Sequence, residues 1–228
     1  MGSYALKQRQ YSNTNDSSLT EPLKTAFEFL RKVVLVVPPR TNNLKAGGST
    51  PLTAYSDAEF TPGIPPRLGW IIFDQYGVVQ AAATLLLDER IPSLWKPRQT
   101  QIFPAESLAP SVAIALHRDI LQGRDVRWFV DNEAACSTLI RGASKEEDVN
   151  GIAECTQILA MRLELRIWYE WVDSKANCSD GLSRLGLNCP DYGPQAITAP
   201  QPPWQLLPCF ANRLQFVAEK SLHLIAGV

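Results

Sequence analysis

Val126-Arg127-Trp128-Phe129-Val130-Asp131-Asn132-Glu133-Ala134-Ala135 is the stretch that decides the fold. Val126 to Val130 is apolar and β-prone, and it stops on an aspartate. Tryptophan, phenylalanine and valine in a row make a strand bound for a core. A lone charge inside such a strand is costly, so Asp131 belongs at its end. From Asn132 to Ile140 the spacing turns helical, with Gly142 as the stop.

Outward from this unit the same alternation recurs. Leu52 to Ser56 predicts a short strand ending at Asp57. Arg67 to Asp74 and Val78 to Leu86 predict two more, joined by the turn-type segment Asp74-Gln75-Tyr76-Gly77. Leu94 to Ile102, with Lys96, Pro97 and Arg98, reads as an irregular connection. Pro104 to Leu121 is helical in its spacing of Leu108, Val112, Ala115 and Leu116, and Gly123 stops it. Ser144 to Asp148 is a charged, solvated loop. Val149 to Arg162 reads as a helix, Leu165 to Val172 as a strand and Ser179 to Leu185 as a short helix. The order is β-β-β-α-β-α-α-β-α. The first three strands are close enough to form a meander, and the later ones, separated by helices, can join in parallel. The expected fold class is α/β, a mixed five-stranded sheet with flanking helices.

The chain divides into three regions. Residues 1–50 form an N-terminal extension: a polar, disordered start, a helix opened by Thr20 and Pro22 with Ala26, Phe27, Leu30 and Val33 on one face, and a linker after Pro38-Pro39. Residues 51–187 hold the domain. Residues 188–228 are a proline-rich tail read as a linker, with a possible helix from Phe210 to Leu224.

The 228 residues carry a formal net charge of −1, which speaks against a broad basic surface for sequence-independent nucleic-acid binding. A local basic rim around an acidic site stays open. The five cysteines are odd in number and form no Cys-x-x-Cys pair, so neither a disulfide framework nor a zinc knuckle is expected. Scattered thiols, a polar start without an apolar leader and no bilayer-length apolar run place the chain inside the cell, in cytoplasm or nucleus, not secreted and not in a membrane.

Four acidic residues stand out by their contexts: Asp57 after Ala54-Tyr55-Ser56, Glu106 in Phe103-Pro104-Ala105-Glu106, Asp131 after Trp128-Phe129-Val130, and Asp180 in Asn177-Cys178-Ser179-Asp180. Each has a bland reading. Asp131 and Asp180 could cap helices, and Glu106 could be a first-turn glutamate favoured by the helix dipole. Gathered at one edge of a sheet, the four would repel each other unless cations bridged them. Oxygen-only ligand sets suit Mg²⁺ or Mn²⁺. Two such ions can activate water and stabilise the leaving oxygen in phosphodiester cleavage.

The ordered series Tyr55-Ser56-Asp57-Ala58, Gly69-Trp70, Ala105-Glu106, Val130-Asp131-Asn132-Glu133-Ala134-Ala135, Trp171-Val172-Asp173-Ser174 and Asn177-Cys178-Ser179-Asp180-Gly181-Leu182-Ser183-Arg184 resembles the ribonuclease H-like domain of retroelement reverse transcriptases. The resemblance covers about Pro51 to Arg184. It implies a ribonuclease H fold, two Mg²⁺ or Mn²⁺ ions and cleavage of the RNA strand of an RNA–DNA hybrid. By position, Asp57 matches the first-strand aspartate that touches both metals, Glu106 the helix glutamate, Asp131 the aspartate ending the fourth strand and Asp180 the last one. Asn132 matches a polar position that contacts nucleic acid. Arg67, Lys175 and Arg184, with Lys96 and Arg98, are candidate phosphate contacts, each equally readable as surface charge.

Two departures from the family pattern stand out. The loop Asp173 to Ser179 lacks the histidine that many members carry there. No Tyr-x-Asp-Asp polymerase motif occurs in the chain, so a polymerase module, if the protein works with one, lies outside it. The main rival reading is a catalytically inactive ribonuclease H-like module for nucleic-acid binding or structure. A DEDD-type 3′–5′ exonuclease, prompted by Asp57-Ala58-Glu59, lacks its water-orienting Tyr or His, since Lys175 and Ala176 stand there. With the exonuclease set aside, Glu59 reads as a solvent-facing residue beyond the strand end. A transposase- or integrase-type core lacks its late glutamate. His117 reads as a structural or surface histidine, and Trp70, Trp128, Trp168 and Trp171 as core residues.

Overall fold

The computed structural model describes residues 19–36, 50–192 and 197–201. The polar start, the linker before Pro51 and the Phe210 to Leu224 segment lie outside the described residues. Element order is α1 (Glu21–Val36), β1 (Leu52–Glu59), β2 (Arg67–Phe73), β3 (Val79–Leu86), α2 (Arg90–Ser93), α3 (Ile102–Leu116), α4 (Arg118–Leu121), β4 (Asp125–Val130), α5 (Glu133–Arg141), α6 (Glu147–Arg162), β5 (Arg166–Trp171), α7 (Asp180–Leu185) and β6 (Ile197–Thr198). On α1, Leu23 and Ala26 are buried while Phe27 and Leu30 are exposed.

The sheet has six strands in the order β5-β4-β1-β2-β3-β6, one more than the sequence predicts. The β1–β2 and β2–β3 pairs are antiparallel, as short connections dictate. The β1–β4 and β4–β5 pairs are parallel, and each crossover carries helices. The added strand, β6, lies parallel to β3 through Ala82↔Ile197 and Ala83↔Thr198. It comes from the proline-rich segment read as a linker. A two-residue strand between prolines has no period to detect, and its pairing is set by Ile197 entering a core.

Strand alternation builds a different core on each face. Leu52, Ala54, Leu68, Trp70, Ile72, Val126, Trp128 and Val130 meet α3, α5 and α6 in the main core. On the opposite face Ile71 and Ala82 meet Leu182 of α7, Cys189 and Ile197. Helix α3 is buried from Pro104 to Ala115, so it runs through the centre of the helical layer rather than along its surface.

The helix predicted over Pro104 to Leu121 divides at His117, whose φ of −112° and ψ of 39° leave the helical region. There the Trp70 indole donates to His117 Nε2 at 2.9 Å. Nε2 must therefore be unprotonated, and burial lowers the pKa of His117 accordingly. Trp70 and Trp128 are fully buried as expected. Trp168 and Trp171 are not: they are 66% and 51% exposed. Strand β5 is an edge of the sheet, and only its Tyr169 is buried, beneath α5. Amino-acid type alone does not reveal that a β-rich run sits at an edge.

Candidate metal centre

Asp57, Glu106 and Asp131 converge where β4 ends beside the last residues of β1. Parallel pairing of β1 with β4 reaches Ser56↔Val130, so the next residue on each strand is an aspartate. Helix α3 brings Glu106 across the same end, and the Ala58 amide donates to Glu106 Oε1 at 3.2 Å. One carboxylate oxygen from each of the three lies within 4.8 Å of the others.

Asp57 is 4% exposed and Glu106 is 3%. Burial first, then the charges of Asp131 and Asp180, push Asp57 up from 3.8 to about 7, against a hydrogen bond from Ser183 that lowers it. Glu106 is pushed well above the usual carboxylate range by burial, then by the charges of Asp57 and Asp131. Glu106 Oε2 and Asp131 Oδ1 are buried without a hydrogen-bond partner. Native proteins pair most such atoms, so two unpartnered oxygens within one carboxylate cluster are donors that a cation could use. An all-oxygen, acidic donor set fits Mg²⁺ or Mn²⁺.

Asp180 is not one of the three converging groups. It is the first residue of α7, following Ser179, and its Oδ1 forms an ion pair with Arg184 Nε at 2.8 Å. Its charge still acts on Asp57. Arg184 also lies 3.9 Å from Glu59. The helix cap beside Asp131 is Asn132, whose side chain accepts from the Ala135 amide, and this leaves the Asp131 carboxylate free of capping. Glu106 sits in the fifth position of α3, one turn deeper than a first-turn glutamate.

Asp57, Glu106 and Asp131 line an open cleft of about 380 Å³ whose walls include Glu59, Phe60, Thr100, Asn132, Ser174 and Arg184. Glu59 is the last residue of β1 and stands on this rim, not beyond the strand. Arg67 is elsewhere, on β2 against Gly186. Lys175 is exposed in a short 3₁₀ turn, beside cleft residue Ser174. Lys96 and Arg98 fix the loop ahead of α3. Arg98 grips Asp148 with two contacts of 2.7 Å, and Lys96 lies 3.6 Å from Glu146. Burial pushes Asp148 up, but hydrogen bonds from Arg98, the Lys96 amide and the Val149 amide outweigh it and hold the carboxyl low.

Sequence reasoning missed Thr100, Ser174 and Ser183. Thr100 and Ser174 sit in irregular segments with no periodic signal. Ser183 lies within a recognised motif, yet nothing local says that its hydroxyl reaches Asp57.

No family model and no characterised protein sequence matches the chain. Solved structures do. The chain is similar to LC11-RNase H1 isolated from compost, with a TM-score of 0.50 and 16% identity over 61% of this chain and 96% of that one. Ribonuclease H1 of the halophilic archaeon Halobacterium salinarum is 18% identical over 60% of this chain and 97% of its own, with a TM-score of 0.48. A foamy viral protease-reverse transcriptase, solved with an RNA/DNA hybrid, is 12% identical over 79% of this chain and 28% of its own, with a TM-score of 0.41. The chain has a ribonuclease H-like fold. Among the described residues no helix is long and apolar enough to cross a membrane.

Proposed function

We propose that this protein is a metal-dependent endonuclease that hydrolyses the RNA strand of RNA–DNA hybrids. The observation that carries the reading is the triad of buried Asp57 and Glu106 with half-buried Asp131, which lines a cleft and in which two oxygens have no hydrogen-bond partner. Burying two carboxylates against a third without a counter-charge is expensive. A fold with no functional need for the cluster would be more stable with amides or apolar groups there.

Asp57, Glu106 and Asp131 would hold a divalent cation, and Asp180, turned away from Arg184, would complete a second position beside Asp57. Mg²⁺ or Mn²⁺ bound there supplies an activated water and neutralises charge on the leaving oxygen. The protein's own groups do the positioning. The Ala58 amide orients Glu106. Asn132, held by its cap to Ala135, and Ser174 present polar groups along the cleft where a sugar–phosphate backbone would lie. Arg184, between Asp180 and Glu59, could exchange those partners for a phosphate. Discrimination of RNA would come from groove shape and 2′-hydroxyl contacts, not base reading. The ordered motifs from Tyr55 to Arg184 support descent from a retroelement reverse transcriptase, with any polymerase module as a separate partner.

One observation favours the rival reading of an inactive module: Asp180 is tied to Arg184. A labelled hybrid incubated with the protein and Mg²⁺ or Mn²⁺ decides between them. Internal cuts in the RNA strand, absent in EDTA and absent on duplex DNA, are expected. No cleavage with either metal, while the protein still binds Mn²⁺ by calorimetry, would sink the enzyme and leave the module.

A further inference from the structure

We propose that Ser183 is a positioning residue for Asp57, and that the bare backbone of Gly69 is the seat that lets it reach. The inference rests on the reading of the carboxylates as a cation site. Asp57 and Gly69 are directly paired across β1 and β2, and Gly69 pairs with Thr84 on β3. Directly paired residues project to the same face. Asp57 therefore has an empty place beside it on the sheet, where any other residue would raise a side chain.

Helix α7 fills that place. A Cβ at Gly69 would stand 2.5 Å from the Ser183 nitrogen and 2.8 Å from the Leu182 carbonyl carbon. Both are backbone atoms and cannot swing aside, so a side chain here lifts the helix off the sheet. Leu182 pins the helix in its low position by packing fully buried against Ile71 and Ala82. At that height Ser183 is completely buried, and its Oγ donates to Asp57 Oδ2 while lying 2.9 Å from the Asp180 carbonyl oxygen.

A hydroxyl has one proton. An ionised carboxylate is the stronger acceptor, so Ser183 donates to Asp57 when that group carries its charge. Oδ2 is thereby fixed, which leaves the second oxygen of Asp57 to join Glu106 Oε2 and Asp131 Oδ1. The Asp180 carbonyl oxygen, 2.9 Å from the same hydroxyl, is the competing acceptor and takes the proton only when Asp57 is neutral. A serine that merely back-bonded its own helix would touch Asp180 and not Asp57. Gly69 thus sets the height of α7, and Ser183 converts that height into the orientation of Asp57.

Two measurements on purified protein test this. The first is a double-mutant cycle without metal, using Ser183→Ala, Asp57→Ala and the pair, read by urea unfolding. Ser183→Ala should lower the folding constant about fivefold less when Asp57 is already alanine. Additive effects would overturn the contact. The second is Mn²⁺ titration calorimetry. Ser183→Ala should weaken Mn²⁺ binding roughly tenfold, the loss expected for one charge-assisted hydrogen bond. Wild-type affinity in this variant would overturn the positioning role even if the cycle is coupled. Gly69→Ala should weaken Mn²⁺ binding as well, and adding Ser183→Ala to it should cost nothing further. If Gly69→Ala does not fold, the Ser183 variants decide alone. Failure of the wild-type protein to bind Mn²⁺ would refute the cation site itself before any variant is made. The contact would then stand or fall with the cycle.

Discussion

Replacing Asp57 with asparagine should make the metal-free protein more stable while abolishing hybrid cleavage. Asp57 ionises near 3.8 in an unfolded chain but at about 7 in the folded one, because burial and the charges of Asp131 and Asp180 disfavour its anion. Proton counts set the sign. Between pH 4 and pH 7 the unfolded chain has lost this proton and the folded one has kept it, so stability falls as pH rises. Above pH 7 the full cost is present. At about 1.4 kcal/mol for each tenfold change in ionisation constant, that cost is about 4 kcal/mol.

Asparagine removes the charge and keeps an acceptor for Ser183. The hydrogen bond from Ser183 is already included in the folded value of about 7, so it takes nothing further from the gain. A gain of about 4 kcal/mol at pH 8 corresponds to a rise in Tm of roughly 8–16 °C for a domain of this size. At pH 5 the folded carboxyl is already protonated, the remaining cost is about 1.6 kcal/mol, and the gain should shrink to about that value. Calorimetric melts in EDTA at pH 8 and pH 5 give the comparison. Added Mg²⁺ should then raise Tm of the wild type and not of Asp57→Asn. A variant that melts in parallel with the wild type at both pH values would refute the claim that Asp57 carries a buried, uncompensated charge.

Three further outcomes are expected. Arg98→Met leaves the carboxylate of Asp148, only 10% exposed, without its bidentate partner; urea unfolding should show a loss of about 3 kcal/mol, and a change under 1 kcal/mol would mean that the loop ahead of α3 is held by other contacts. Removal of residues 193–228 deletes β6 and with it Ile197, which is 5% exposed; the remainder should unfold cooperatively but about 2 kcal/mol less stably, and loss of cooperativity would show that the sheet depends on the segment beyond Tyr192. Lys175→His restores a titratable ring to an exposed turn beside the cleft and should raise multiple-turnover cleavage of a hybrid more than single-turnover cleavage, whereas equal changes in both would exclude product release through this turn as the slow step.

How much the residues reveal by themselves depends on the range of the interaction. Trp128-Phe129-Val130-Asp131 is legible because burial, period change and charge all fall within a few positions. Parallel pairing is then dictated by the helices between strands, and it alone brings Asp57 and Asp131 to one end. The strand Ile197–Thr198 is not legible, since two residues carry no period and only the pairing with β3 makes them a strand. Trp168 and Trp171 mislead for a related reason: their composition is that of a central strand, and their exposure is decided by the absence of a further neighbour. Ser183 is the limiting case. It lies 126 residues from Asp57, in a helix where serine is an ordinary choice. Its meaning depends on a glycine on a third element, which in turn is informative only once the register places it beside Asp57. Acidic groups are found early because their burial violates a simple rule that a reader can apply locally. The residues that make such burial tolerable obey every local rule, so they emerge only when the chain is folded.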